Sequence, residues 1–422
     1  MRLDLAYGTS GLAITLPDSL DITVVQPRFE PGLTHPDRAL RAALCEPISG
    51  PPLRDLVRPG DRVGIVFSDI TRPAPNRLIL PAILAELSET NHGEVILFNA
   101  LGTHRKNTDA ELREMLGDGV ADRFRIVQND AFDSDTQVHI GAARRGHDIW
   151  LNRELFECDF KILTGFIEPH FFAGFSGGGK AIMPGMAGLR TILRNHDFEM
   201  IGHPRATWGV TWTNPIWEEV REVALMAGRS FLLNVALNRR KEITAIFAGD
   251  LDQAHQRGCE FVRRTAMAPV DRPFDIVITT NSGYPLDMNL YQTVKGMSAA
   301  AQVVRKGGAI LVASECSEGI PEHGLYRQLL SEAKGPADLL AHIGTPGFLA
   351  QDQWEAQVQA QIQLHARVFL HSDRLSHSQI RDALLEPCDD LAATVLQLSA
   401  EMGGRPHIGV LPEGPQTVPY FA

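Results

Sequence analysis

Short apolar, β-branched runs alternate along this chain with stretches of helical spacing, and that alternation confines it to an α/β architecture. The runs are Arg62–Phe67 (RVGIVF), Glu94–Asn99 (EVILFN), Phe124–Gln128 (FRIVQ) and Phe160–Leu163 (FKIL). Between them, the apolar spacing of Asn76–Leu87 predicts a helix. A second helix is predicted over Asp109–Leu116, where Thr108 and Glu111 have the spacing of a capping box.

The pattern starts afresh near Asp271-Arg272-Pro273. There a buried strand (FDIVITTN) is followed by a turn (NSGYP), a helix from about Leu290 to Val304, a stop at Gly307-Gly308 and a strand (AILVAS). This is one βαβ unit of a parallel sheet, to which Arg367–His371 and His407–Leu411 can add strands. A chain of 422 residues exceeds one ordinary core. Two α/β domains with parallel or mixed sheets flanked by helices are therefore expected, spanning residues 1–270 and 271–422. The boundary is placed in Ala268–Pro273.

Charge and cysteine usage narrow the function. A formal net charge of −11 argues against nucleic acid or an anionic membrane as the main partner. An anionic small molecule would then need a local cationic pocket, which draws attention to Arg and Lys near the motifs. The five cysteines include no CxxC pair, as suits reduced thiols in a cytoplasm. The first twenty residues lack a basic segment followed by an apolar core, so no signal peptide is expected. No apolar run approaches the ~20 residues of a membrane span.

Three polar clusters follow predicted strands directly: Ser68-Asp69-Ile70-Thr71-Arg72-Pro73, Gly102-Thr103-His104-Arg105 and Glu168-Pro169-His170. In open parallel sheets the carboxyl ends of strands share the edge where ligands bind, so the three are expected to meet at one crevice. Each also has a purely structural explanation. Ser68, Asp69 and Thr71 can cap a helix or fix a turn, Asp69 and Arg72 can be an ion pair, and either histidine can be a satisfied structural residue.

Gly174-Phe175-Ser176-Gly177-Gly178-Gly179-Lys180 holds the densest chemistry. Its glycines let backbone N–H groups approach an anion closely. The segment matches G-x-x-x-x-G-K, the NTPase phosphate loop, which keeps a nucleotide-binding hydrolase or kinase open as an alternative. Two features oppose it: Ala181 replaces the Mg²⁺-binding Ser or Thr, and Pro184-Gly185 interrupts the helix that should follow. His196 is a candidate ligand for nickel, zinc or iron, yet no HExxH pair accompanies it. One strong protein ligand implies a cofactor that brings the others. Beyond the boundary, Gln292 and Lys295 stand three apart on one helix face, an amide and an ammonium suited, with Arg72, to a carboxylate. Trp354 can wall a pocket or pack a helix.

Taken together, SDITRP at 68–73, GTHR at 102–105, EPHFFAGFSGGGKAIMPG at 168–185, NH at 195–196, YQTVKG at 291–296 and DQW at 352–354 resemble the nickel-dependent lactate racemases and their 2-hydroxyacid relatives. The resemblance runs from about residue 60 to 355. It implies a pyridinium-3,5-bisthiocarboxylic acid mononucleotide attached as a thioamide to Lys180. Nickel would be held by a ring carbon, two sulfurs and His196, with Asp69, Ile70, Thr71 and Arg72 lining the cofactor. It further implies His104 and His170 as an acid/base pair, and Arg72, Gln292 and Lys295 as contacts of the substrate carboxylate. The site would lie in the cleft between the domains. The partners would be a 2-hydroxyacid and the enzymes that make the cofactor. A cofactor-delivery protein without catalysis is a third possibility.

Overall fold

A computed structural model describes residues 1–28, 30–403 and 405–421. Contacts divide the chain into two compact units: Phe29–His196 with Arg205–Arg263, and Met1–Arg28 with Asp197–Pro204 and Arg264–Ala422.

The first unit is built on a six-stranded sheet. Its order is Ile243–Gly249, Ser230–Leu237, Phe160–Phe166, Val63–Ser68, Val95–Ala100, Arg125–Gln128. All neighbours are parallel except the first pair. The predicted helices form at Asn76–Leu87 and Asp109–Leu116. The former turns Ile79, Leu80 and Ile83 fully into the core, each worth roughly 1.5–3 kcal/mol of burial. The latter carries the anticipated capping box, with Thr108 accepting from the Glu111 amide at 3.3 Å and Glu111 accepting from the Thr108 amide at 2.7 Å.

From the central strand Val63–Ser68 the chain moves outward through Val95–Ala100 to Arg125–Gln128, then returns to Phe160–Phe166 on the other side. The direction of travel reverses there, so the loops leaving the two middle strands diverge. Such a reversal opens a crevice at the carboxyl edge of the sheet.

The second unit holds a six-stranded, all-parallel sheet in the order Glu386–Pro387, Arg367–His371, Val304–Ala313, Phe274–Thr280, His407–Leu411, Asp21–Val24. The anticipated βαβ unit is present, but its helix ends at Ala301 and the next strand starts at Val304. Gly307-Gly308 is therefore no helix stop. It lies inside that strand, beside a register shift at Phe274/Ile276 and with Gly307 at φ 74°.

The contact-defined second unit resumes at Arg264, close to the expected boundary, but it also takes in Met1–Arg28 and Asp197–Pro204. Asp21–Val24 pairs with His407–Val410, which carries the first 28 residues into the second unit. Part of the boundary stretch, Ala268–Val270, lies in the strand Met267–Val270, which pairs with Val418–Phe421. Among the described residues, no helix is long and apolar enough to cross a membrane.

Candidate active site

The loops leaving Val63–Ser68 and Val95–Ala100 bring Asp69 and His104 together. Nδ1 of His104 stands 2.9 Å from Asp69 Oδ2, and the Thr71 hydroxyl donates to the same carboxylate at 2.9 and 3.1 Å. Asp69 is buried while about a third of the His104 side chain is exposed. Burial opposes ionisation of Asp69, but hydrogen bonds from His104 and Thr71 and the charges of His104 and Arg72 outweigh it. The carboxyl is held below its ordinary value. An ionised Asp69 accepts the Nδ1 hydrogen and turns Nε2 of His104 outward as a lone pair, the orientation a general base requires. The cluster is neither a cap nor a simple Asp69–Arg72 ion pair. Ile70 is partly buried and packs against the core cluster.

A second group forms at the end of Phe160–Phe166. The chain continues into a two-residue hairpin, Pro169–His170 against Gly174–Phe175. The Phe172 ring at its tip gathers three of the predicted residues. His170 meets it edge-on at 4.6 Å, His196 at 5.0 Å, and Nζ of Lys180 lies 5.8 Å from the ring centre. His196 closes the helix Leu189–Asn195 and is buried. Burial first, and the Lys180 charge second, push its pKa down to about 3. The imidazole is therefore neutral and keeps the lone pair a metal ligand needs.

The glycine loop is braced from beneath. Asn234, on the inner strand Ser230–Leu237, accepts from the Gly178 amide at 2.7 Å. His255 is fully buried and stacked on Trp217 at 4.5 Å, with Nε2 donating to the Ser176 carbonyl at 2.9 Å. Burial lowers its pKa to about 4, so it is a neutral donor. Gly178 has φ 57°, and a methyl placed on it would stand 2.7 Å from the His255 ring. Neither Asn234 nor His255 was singled out from sequence: a lone polar residue in an apolar run signals little until its neighbours are known.

Lys180 sits in a 3₁₀ turn, Gly178–Ala181, and no helix follows until Leu189. A phosphate loop needs a helix N-terminus at this point, so the NTPase alternative loses its structural basis.

In the second unit, Asn289 caps Leu290–Ala301 by accepting from the Gln292 amide at 3.1 Å. One turn along the helix, Lys295 donates to Oε1 of Gln292 at 2.6 Å. Trp354 donates to the Tyr291 hydroxyl at 2.9 Å, joining this helix to Gln353–His365. Two buried acids belong to the same cluster. Burial raises Asp352 to about 6, against a hydrogen bond from Tyr291, and raises Glu355 to about 8, against the Lys295 charge. The sequence reading missed Glu355; its signal was a carboxyl among buried positions of a helix.

The residues present are compatible with the nickel nucleotide that the resemblance implies. Lys180 supplies an amine beside a neutral imidazole. Among the described residues, no three His, Cys, Asp or Glu side chains group to bind a metal, so the cofactor would have to bring the remaining ligands. Burial raises Cys158 to about 11 and also raises Cys259, Cys316 and Cys388, which disfavours their thiolates.

An Asp-oriented histidine at a sheet switch point, with a buried imidazole and a lysine on a braced loop, is an arrangement of the kind α/β enzymes use for acid–base chemistry. Residues 7–209 match the family described as Lactate racemase N-terminal domain, and residues 270–418 match Lactate racemase C-terminal domain. Lactate racemase of Thermoanaerobacterium thermosaccharolyticum is 36% identical over 419 residues, 98% of each chain. That of Lactiplantibacillus plantarum is 36% identical over 376 residues, 88% of each. The solved lactate racemase apoprotein from T. thermosaccharolyticum superposes with a TM-score of 0.94 at 34% identity, covering 99% of this chain and all of that one. A Thermotoga maritima structure at 21% identity, TM-score 0.69, shares the fold. The chain belongs to the lactate racemase family and is an isomerase of the racemase type.

Proposed function

We propose that this enzyme inverts C2 of a 2-hydroxyacid carboxylate through a planar 2-oxoacid, using nickel and the pyridinium-3,5-bisthiocarboxylic acid mononucleotide attached to Lys180. The observation that carries this reading is the meeting of Lys180, neutral His196 and His170 around Phe172. Lys180 anchors the cofactor, His196 ligates its metal, and Asp69 to Arg72 line it. Once bound, the cofactor supplies a reversible hydride acceptor.

Everything else falls to the chain. The C–H beside a carboxylate is far too weak an acid for a neutral imidazole, whereas an adjacent hydroxyl can lose its proton as hydride departs. His104 takes that proton at Nε2, and Asp69 stabilises the imidazolium that results. His170 serves the oxygen of the opposite hand. Arg72, Gln292 and Lys295 hold the carboxylate while the carbonyl reorients. Burial holds the Glu355 carboxyl up at about 8 against the Lys295 charge.

The expected partners are a small 2-hydroxyacid and the enzymes that make the cofactor, in a cytoplasm that keeps the thiols reduced. The test is isotopic. One enantiomer of C2-deuterated lactate, given to protein produced together with the cofactor-making enzymes, should racemise and keep its deuterium. Exchange of deuterium with solvent at the rate of inversion would show C–H deprotonation instead.

A further inference from the structure

The two histidines are gripped at Nδ1 by partners of opposite character. Asp69 faces Nδ1 of His104 at 2.9 Å. A carboxylate only accepts, so that nitrogen carries the hydrogen. At His170 the partners are backbone amides: the N–H groups of Ala173 and Phe172 reach Nδ1 at 3.2 and 3.5 Å. An amide N–H only donates, so this Nδ1 presents its lone pair.

Those amides are fixed by the hairpin itself. His170 pairs with Gly174, the Phe172 carbonyl accepts from buried Asn214 at 2.8 Å, and the Ala173 carbonyl accepts from the Phe175 amide at 3.0 Å. A neutral imidazole has one N–H and one lone pair, so the state of one nitrogen fixes the other.

We infer that His104 and His170 rest in opposite tautomers, His104 offering a lone pair at Nε2 and His170 offering an N–H at Nε2. The consequence for substrate rests on the proposed function above. A hydroxyl facing His104 meets an acceptor, and an oxygen facing His170 meets a donor. The site is therefore unequal toward the two mirror-image hydroxyacids. Only His104 is ready to receive a proton. His170 must first move its hydrogen to Nδ1, against the amides of Phe172 and Ala173. His170 in its resting state is thus suited to a carbonyl oxygen, and His104 to a hydroxyl.

Two-bond ¹H–¹⁵N correlation of the full-length, ¹⁵N-histidine-labelled chain reads both tautomers directly, since an unprotonated ring nitrogen resonates well downfield of a protonated one. The measurement is made near pH 8, above the ordinary imidazole value of about 6.5. His104 and His170 are assigned by through-bond correlation to their own backbones. The expected result is Nδ1–H with a bare Nε2 for His104 and the reverse for His170. Identical tautomers, averaged tautomers or an imidazolium at either position would overturn the inference. Opposite tautomers in a chain that leaves 2-hydroxyacids unracemised would defeat the proposed function while leaving this inference standing.

Discussion

The glycine loop of the first unit and the helix pair of the second hold their functional side chains by different means. Around Gly174–Lys180 the bracing is neutral and rigid: the Asn234 amide, the unprotonated His255 and a backbone that tolerates no added methyl at Gly178. Around Lys295 it is ionisable: the ammonium's charge and Asp352 both act on the buried Glu355 carboxyl, and the charge of the two acids varies with pH. The first region's bracing does not titrate above about pH 4, the value to which burial lowers His255; the second is tunable. The former would suit the anchored cofactor proposed above, and the latter a substrate carboxylate that comes and goes.

The contrast can be broken most severely at the anchor. Lys180→Ala should abolish racemisation with the fold retained, measured by chiral separation and circular dichroism, since the braced loop holds its shape without that amine. Next in size, His104→Ala should lower kcat by ~10²–10⁴-fold, the usual contribution of a positioned acid–base group. Steady-state rates from either enantiomer would check it. On the tunable side, Lys295→Ala should cost roughly 2–5 kcal/mol in kcat/KM, the range for one partner of a buried charge pair.

Two smaller effects sharpen the comparison. Gly178→Ala should destabilise the first unit by about 1–3 kcal/mol through overpacking, equally at pH 5 and pH 9, as thermal unfolding would show. Glu355→Gln should behave otherwise. The folded state raises this carboxyl to about 8 from its ordinary value, so its favourable contribution is complete below about pH 4 and lost as pH rises through about 8. The variant should therefore gain Tm over the parent at pH 9 and none at pH 4. A pH-independent difference would mean that Glu355 acts through packing alone.

Four of the six strands in the first unit's sheet were legible because they are short apolar runs punctuated by polar turns, whereas Ser230–Leu237 and Ile243–Gly249 went unrecognised. The sequence also pointed to Asp69, His104, His170 and Lys180 as candidates, since each follows a strand end or lies in the glycine-rich block, and to His196, which closes the helix Leu189–Asn195, as a candidate ligand. It did not show Asp21–Val24 joining the second sheet, because a four-residue strand in a polar setting has no local signal for a partner almost 400 residues on. The strand inside which Gly307-Gly308 falls was misread for a related reason: glycines end helices more often than they bend strands. The bracing by Asn234 and His255 was invisible because it depends on which side chains face the loop. Glu355 was missed because burial, not residue type, makes it unusual. The pairing of Asp69 with His104, 35 residues apart, likewise emerges only from two parallel strands ending side by side.

The central claim is that Lys180 carries the nickel nucleotide on which turnover depends, and peptide mass mapping of active enzyme tests it most directly. Protein produced together with the cofactor-making enzymes should yield a Lys180 peptide bearing the nucleotide adduct, in proportion to nickel content and to activity. An unmodified Lys180 in fully active, nickel-free protein would contradict the account.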